Sequence, residues 1–201
     1  MKKYPAKKVA LAGLFLALAL IVSLLESLIP PLVPALPYAK LGLANAVLLA
    51  CFLLVGAGEG FVVLLLKCLL AAVFSGNFAA LAWSVPASLA AYAVMIAMCK
   101  ARIFSITAVS AAGGMVHNAV QIAVGVAAAG AAVAVYLPYM LLAGAVAGVV
   151  TGVLCHFAVA VARRGSLSAR EGDLAYVRIA RTRAREDEPE EETERGEGSA
   201  R

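Results

Sequence analysis

Acidic residues are almost absent from most of this 201-residue chain. Residues 1–162 contain only Glu26 and Glu59, and the two aspartates of the chain, Asp173 and Asp187, both follow later. Divalent cations are held by clustered carboxylates, and hydrolytic acid–base pairs need two carboxyl groups in one site. The apolar part of the chain therefore offers neither kind of site.

Other catalytic signatures are missing as well. The sequence contains no Walker phosphate-binding loop and no Ser-His-Asp set. None of the cysteines forms a CxxC pair, and each lies in a separate apolar segment: Cys51, Cys68, Cys99 and Cys155. We therefore expect no catalytic residues, no metal site and no cofactor, and a protein that is not an enzyme.

Hydrophobic residues dominate the composition. They make up 63% of the chain, charged residues only 14%, and the mean hydropathy is +0.93. Soluble domains carry about a quarter charged residues. No basic face is interleaved with aromatic residues, so the positive net charge is not the mark of a nucleic-acid-binding protein. The composition predicts an integral membrane protein in contact with the lipid bilayer.

Six apolar segments are long enough, or nearly long enough, to cross a membrane. The first is too long for the apolar region of a signal peptide and is predicted to be a retained helix. Lysine and arginine lie mainly at alternate segment ends, which favours an all-α protein with about six transmembrane helices and both termini cytoplasmic. We expect a multi-pass protein of a bacterial-type cell membrane. The segments are about 9–29, 41–56, 60–75, 79–99, 104–129 and 134–162.

The sequence divides into two parts of different composition. Residues 1–162 form the predicted six-helix membrane domain. Residues 163–201 contain nine arginines and ten acids with few apolar residues. Such a segment does not bury enough apolar surface to order itself, so we predict a disordered, Arg-rich and then acidic cytoplasmic tail.

Three polar residues cluster in the fifth segment, within "GGMVHNAVQIAVG" at 113–125. His117 and Gln121 are four residues apart, and Asn118 and Gln121 are three apart, so a helix presents all three on one side. Polar side chains at membrane depth usually face a bundle interior or a cavity. They are predicted to contact a ligand; the alternative is hydrogen bonding between helices.

Other polar residues extend the candidate ligand site. Lys67 lies near the middle of the third segment, where it either pairs with Glu26 or meets an anionic ligand. Trp83 follows the turn at Asn77 and is either an interface anchor or a pocket wall. Ser84 is predicted to cap a helix that has Pro86 in its first turn. The candidate set is His117, Asn118, Gln121, Lys67, Asn77, Asn45, Lys40 and Trp83.

Three short motifs together resemble one family. They are "KLGLAN" at 40–45, the Lys67 helix that runs into "FSGN" at 74–77, and "HNAVQ" at 117–121. In this order they resemble the Gx transporter family, which is labelled heptaprenyl diphosphate synthase component I, over about residues 5–162. That family is similar to the S components of energy-coupling-factor vitamin transporters.

The resemblance implies a fold and a set of partners. It implies six helices with a ligand pocket near the outer side, and a transmembrane scaffold protein whose ATPases supply energy. S components contact this scaffold through small residues of the first helix, and Gly13 and Ala17 match such a contact.

Two functions remain open at this point. The first is a membrane small-molecule binding or uptake component, whose ligand is a vitamin, a quinone precursor or an isoprenoid phosphate. The second is a non-catalytic membrane subunit of a heptaprenyl diphosphate synthase or quinone-biosynthesis complex. The missing aspartate-rich motif argues against prenyl transfer by this chain itself.

Overall fold

The computed structural model describes residues 6–29 and 40–164, and this part of the chain is a bundle of helices without strands. Six α-helices follow one another in the predicted order, so the predicted fold class is confirmed. The predicted tail, from residue 165 on, lies outside the described residues. The helices are α1 (Ala6–Ser27), α2 (Ala44–Leu54), α3 (Ala57–Ser75), α4 (Ala80–Ala101), α5 (Ile106–Ala129) and α6 (Leu137–Arg164), with a 3₁₀ helix at Ala131–Tyr136 before α6.

Helix α2 is short and lies in the middle of the bundle. Its 11 residues extend about 16 Å, roughly half of a hydrocarbon core. It packs against all five other α-helices, and Leu48, Leu49 and Cys51 are fully buried. A backbone surrounded by protein does not need the full length of a lipid-exposed helix. Five described helical segments, α1, α3, α4, α5 and the 3₁₀ helix with α6, are long and apolar enough to cross a membrane.

Two contacts show that α1, α2 and α3 run in alternating directions. Lys8, near the start of α1, forms an ion pair of 3.6 Å with Glu59, near the start of α3. Glu26, near the end of α1, accepts a hydrogen bond from the backbone of Gly42, just before α2. The chain between Gly42 and Glu59 therefore returns from the Glu26 end of the bundle to the Lys8 end. Although α2 is short, it forms the second pass of the chain through the bundle.

Helices α5 and α6 approach so closely that their backbones touch. A Cβ atom added to Gly148 would lie 2.6 Å from Cα of Ala111, and one added to Gly144 would lie 2.6 Å from the carbonyl oxygen of Gly114. Gly152 lies in the same way against Thr107. This is the packing of small residues that joins membrane helices through van der Waals contact.

Helix α4 begins at Ala80, close to the start of the predicted segment at 79, but Ser84 does not cap it. Asn77 Oδ1 accepts a hydrogen bond of 3.2 Å from the backbone N–H of Ala80, which satisfies one of the free donors at the helix start. The prediction that Ser84 caps this helix was therefore wrong. Pro86 lies inside α4 rather than in its first turn, and its missing N–H leaves one turn of the helix without its backbone hydrogen bond.

Candidate functional site

Buried polar side chains from five helices meet toward the Glu26 end of the bundle. Their neighbours are otherwise apolar, so each polar atom there needs a partner. We call these residues the polar cluster, and all of them except Lys40, which is half-buried, are less than a tenth exposed. The polar cluster consists of Ser23, Glu26, Lys40, Asn45, Lys67, Ser88, His117 and Gln121.

Glu26 fixes the start of α2. Its Oε1 accepts hydrogen bonds from the backbone N–H groups of Gly42 and Leu43. Gly42 has a φ of +80°, a conformation that favours glycine. A Cβ atom at this position would also lie 2.8 Å from Asn45 Nδ2 and from a ring carbon of His117. Glycine is therefore required here both by the backbone and by the space.

Lys40 joins the connection before α2 to two other elements. Its backbone N–H donates to Gln121 Oε1 in α5 at 3.0 Å. Its Nζ donates to the hydroxyl of Ser27 at 2.7 Å and to the carbonyl of Ser23 at 3.4 Å, both in α1. Burial lowers the pKa of the Lys40 ammonium; the Glu26 carboxylate opposes this shift and the positive charge of Lys67 adds to it.

Lys67 places a second ammonium inside the bundle. It is 5% exposed, and its one hydrogen bond within the described residues is a 3.4 Å contact from Nζ to the hydroxyl of Ser88. It interacts electrostatically with Glu26 and with Lys40. A buried ammonium has three donors to satisfy, and one long hydrogen bond to a serine satisfies only part of them.

Gln121 and His117 form a hydrogen-bonded pair whose proton positions follow from their neighbours. Because Gln121 Oε1 accepts from the backbone of Lys40, its Nε2 is the atom that faces His117 Nε2, at 3.0 Å. An amide nitrogen only donates, so His117 Nε2 must accept. The imidazole is then neutral and carries its proton on Nδ1.

Several buried polar atoms of the polar cluster lack a partner among the described residues. Both side-chain atoms of Asn45 make no hydrogen bond, although the residue is 3% exposed. Nδ1 of His117 has no partner at normal hydrogen-bond geometry, although the ring interacts with the backbone of Ala87. Groups of this kind in a native protein are commonly satisfied by an ion, a water or a ligand.

A small cavity lies between the two lysines. It has a volume of about 10 Å³, is lined by both lysines and by Ser23, Ser75 and Ser84, and has room for about one water molecule. A larger ligand would require the surrounding helices to separate.

The other predicted site residues are not members of the polar cluster as defined above. Asn118 Nδ2 donates to the carbonyl of Met140 in α6 at 2.7 Å, which is the helix-to-helix hydrogen bond that the sequence left as an alternative. Asn77 caps α4, and Trp83 lies in the first turns of that helix. Gly13 and Ala17 are exposed on α1, where a Cβ atom added to Gly13 meets nothing within 4 Å.

Sequence reasoning missed part of the polar cluster. Ser23 and Ser88 were not singled out, because serine is common in membrane helices and carries little signal on its own. Glu26 was considered only as a partner of Lys67, and its hydrogen bond with the backbone N–H of Gly42 was not predicted. One signal was available: Glu26 is one of only two acids in residues 1–162.

A second, larger cavity lies between α1, α2 and α6. It has a volume of about 420 Å³, and hydrocarbon side chains such as Leu18, Val22, Val47 and Leu154 line almost all of it. Among the described residues that line it, Glu26 is the one that is charged. This apolar cleft, as we call it, suits an apolar chain rather than a polar molecule.

Comparison with known families gives one match. The family model of heptaprenyl diphosphate synthase component I matches residues 15–158, which include all six α-helices in whole or in large part. Comparisons with curated proteins and with solved structures find no match. The helical bundle and the extent of this match lead to one assignment: the chain belongs to the heptaprenyl diphosphate synthase component I family.

Proposed function

We propose that this protein is a membrane component that binds a small anionic molecule at the polar cluster and serves its uptake, without catalysing a reaction. The observation that carries the proposal is Lys67. Its ammonium lies inside an apolar bundle, and among the described residues it makes one long hydrogen bond, to Ser88. Charged side chains are costly at such a position and commonly mark substrate pathways in membrane proteins.

The other groups of the polar cluster support the same interpretation. Lys40 adds a second positive charge beside the small cavity, and Glu26 supplies one negative charge. Asn45 offers an amide without a partner among the described residues. Together they offer positive charge and hydrogen-bonding groups to a carboxylate or phosphate. Vitamins, quinone precursors and isoprenoid phosphates include molecules of this chemistry.

Energy for uptake would come from another protein under this proposal. The sequence contains no nucleotide-binding loop. The resemblance to S components suggests a transmembrane scaffold with ATPases, which would contact α1 at Gly13 and Ala17. Both residues are exposed on α1, as such a contact requires.

Native mass spectrometry of the full-length protein, purified from membranes, tests the proposal. We expect a non-covalently bound small molecule that is lost in Lys67→Met, because the ligand's counter-charge is removed. Lys100→Met is the matched control, since Lys100 is an exposed lysine in the last turn of α4. It should retain the molecule. Equal occupancy in the wild type and in Lys67→Met would contradict the proposal.

A second candidate function is a non-catalytic subunit of a prenyl diphosphate synthase complex. The apolar cleft favours it, because a cavity of about 420 Å³ lined by hydrocarbon side chains suits an isoprenoid chain. Affinity purification of the wild type distinguishes the two candidates. A soluble synthase recovered in constant ratio to the protein, with no small molecule bound at the polar cluster, would favour the subunit.

A further inference from the structure

The net charge of the polar cluster depends on whether the imidazole of His117 is protonated, and the hydrogen bonds of the ring answer this question. His117 accepts from Gln121 and is neutral. Lys40 and Lys67 are the two basic side chains, and Glu26 is the one acid; its carboxylate form is favoured by two backbone N–H groups and by both lysines, so we count it as one negative charge. The other members are neutral serines and amides. The net charge of the polar cluster is therefore +1.

Within an apolar bundle, the net charge of a site restricts what it binds. A charge that enters without a full counter-charge keeps most of its desolvation cost, since apolar surroundings screen it poorly. A ligand with one negative charge neutralises the polar cluster. A ligand with two or three leaves an excess of negative charge beside the Glu26 carboxylate.

We infer that Glu26 determines ligand specificity: it sets the net charge of the polar cluster to +1 and so selects a monoanionic group, such as a carboxylate, over a phosphate dianion or a diphosphate. This inference rests on the proposed function and narrows its ligand class. It also implies that the polar cluster does not select the diphosphate that the family's label names. The negative charge of Glu26 offsets part of the positive charge of Lys40 and Lys67, and both lysines interact with it electrostatically.

Two probes of one shape but different charge test the inference. Benzoate carries one negative charge, and phenyl phosphate is mostly a dianion at pH 7.5, because the second pKa of a phosphate ester is about 6. Affinities are measured by saturation-transfer NMR on the full-length protein in lipid nanodiscs. The wild type should bind benzoate more tightly. Glu26→Gln keeps an oxygen for Gly42 and raises the net charge to +2, so the affinity ratio should shift toward phenyl phosphate by about tenfold or more.

Glu59→Gln is the matched control. It removes the same charge from the protein, but at the Lys8 end of the bundle, and it should leave the ratio unchanged. The double variant Glu26→Gln/Lys67→Gln restores a net charge of +1 and should restore the preference for benzoate. If Glu26→Gln binds both probes with the wild-type ratio, the inference is wrong.

A further variant keeps the inference testable should Glu26→Gln fail to fold. Lys40→Gln changes a half-buried side chain and lowers the net charge to zero. It should lose the preference for benzoate over neutral benzamide by about tenfold, and a preserved preference would overturn the inference. Failure of the wild type to bind any of the three probes would instead contradict the proposed function itself.

Discussion

At the scale of single residues, Lys40 shows how a connection between helices becomes part of a site. Its backbone N–H donates a hydrogen bond to Gln121 in α5, and its ammonium donates one to Ser27 in α1. Gln121 in turn orients the ring of His117. One residue outside the helices therefore links α1 to α5 and places an ammonium next to the small cavity.

The lowered pKa of Lys40 predicts how anion binding depends on pH. Its charged form attracts an anion, and burial shifts its deprotonation below the ordinary value near 10.5. As the pH rises through this lowered pKa, the ammonium loses its proton, so benzoate affinity should fall by about tenfold at a pH below 10.5. Titration calorimetry at a series of pH values measures the decline.

Lys40→Arg is the control for this prediction, because a guanidinium stays charged throughout the range. The decline in affinity should move to higher pH in this variant. Glu26 and Lys67 are present in both proteins, so they do not account for a difference between the two pH profiles. Identical pH profiles for the two proteins would show that Lys40 does not contribute its charge to binding.

The sequence predicted the parts of the polar cluster that lie within one helix and not those that join helices. The spacing of His117 and Gln121 is enough to predict that they share a face, because α-helix geometry relates residues four apart. The same spacing argument placed Asn118 with them, but its amide reaches Met140 in α6. No helical periodicity relates Lys40 or Gly42 to Glu26, since α1 ends at Ser27, before either residue. Their contacts follow only from tertiary structure.

At the scale of elements, the α5–α6 contact and α1 use small residues differently. Gly144, Gly148 and Gly152 face α5 at backbone contact distance. On α1, Gly13 and Ala17 repeat a similar spacing but are exposed. The first set therefore joins helices within the protein, and the second lies on an exposed part of α1 that another helix can approach.

Substitution by leucine should separate these two sets. In Gly148→Leu the new side chain meets the backbone of Ala111 and Ser110, so the helices must move apart at a cost of about 1–3 kcal/mol. In Gly13→Leu the added atoms meet open space, and the melting temperature should stay close to that of the wild type. Thermal unfolding in detergent, followed by circular dichroism, measures both. Equal melting temperatures for the two variants would argue against the α5–α6 contact.

The helix boundaries show what a hydropathy profile predicts about individual helices and what it does not. The apolar segment at 41–56 predicted α2 correctly, although its 11 residues are too few for a lipid-exposed pass. Burial by five neighbouring helices explains this, and burial is not visible in a hydropathy profile. The segment at 79–99 predicted the start of α4 correctly, but the cap was placed too late, at Ser84, because Pro86 favours a first turn; Asn77 accepts from Ala80 at the helix start instead.

At the scale of the whole molecule, the short α2 decides the topology. With α2 as a full pass, the six described α-helices cross six times, and Ala6 and Arg164 lie on the same side. Without it, Glu59 would lie on the side of Gly42. The ion pair between Lys8 and Glu59 requires the first arrangement. Lysine and arginine near Lys8, Lys100 and Arg102 favour the cytoplasm for that end.

Labelling of single cysteines in sealed vesicles tests this arrangement, in a background where the four buried native cysteines are replaced by alanine. Cysteine at Glu59 or Ile103 should react with a membrane-impermeant maleimide only from the cytoplasmic side. Cysteine at Asn77 or Ala131 should react only from the outside, where the polar cluster would receive its ligand. The contrast between Glu59 and Asn77 is decisive, because α3 alone separates them. If both react from one face, α3 does not cross the membrane and the ligand would have no route from outside to Lys67.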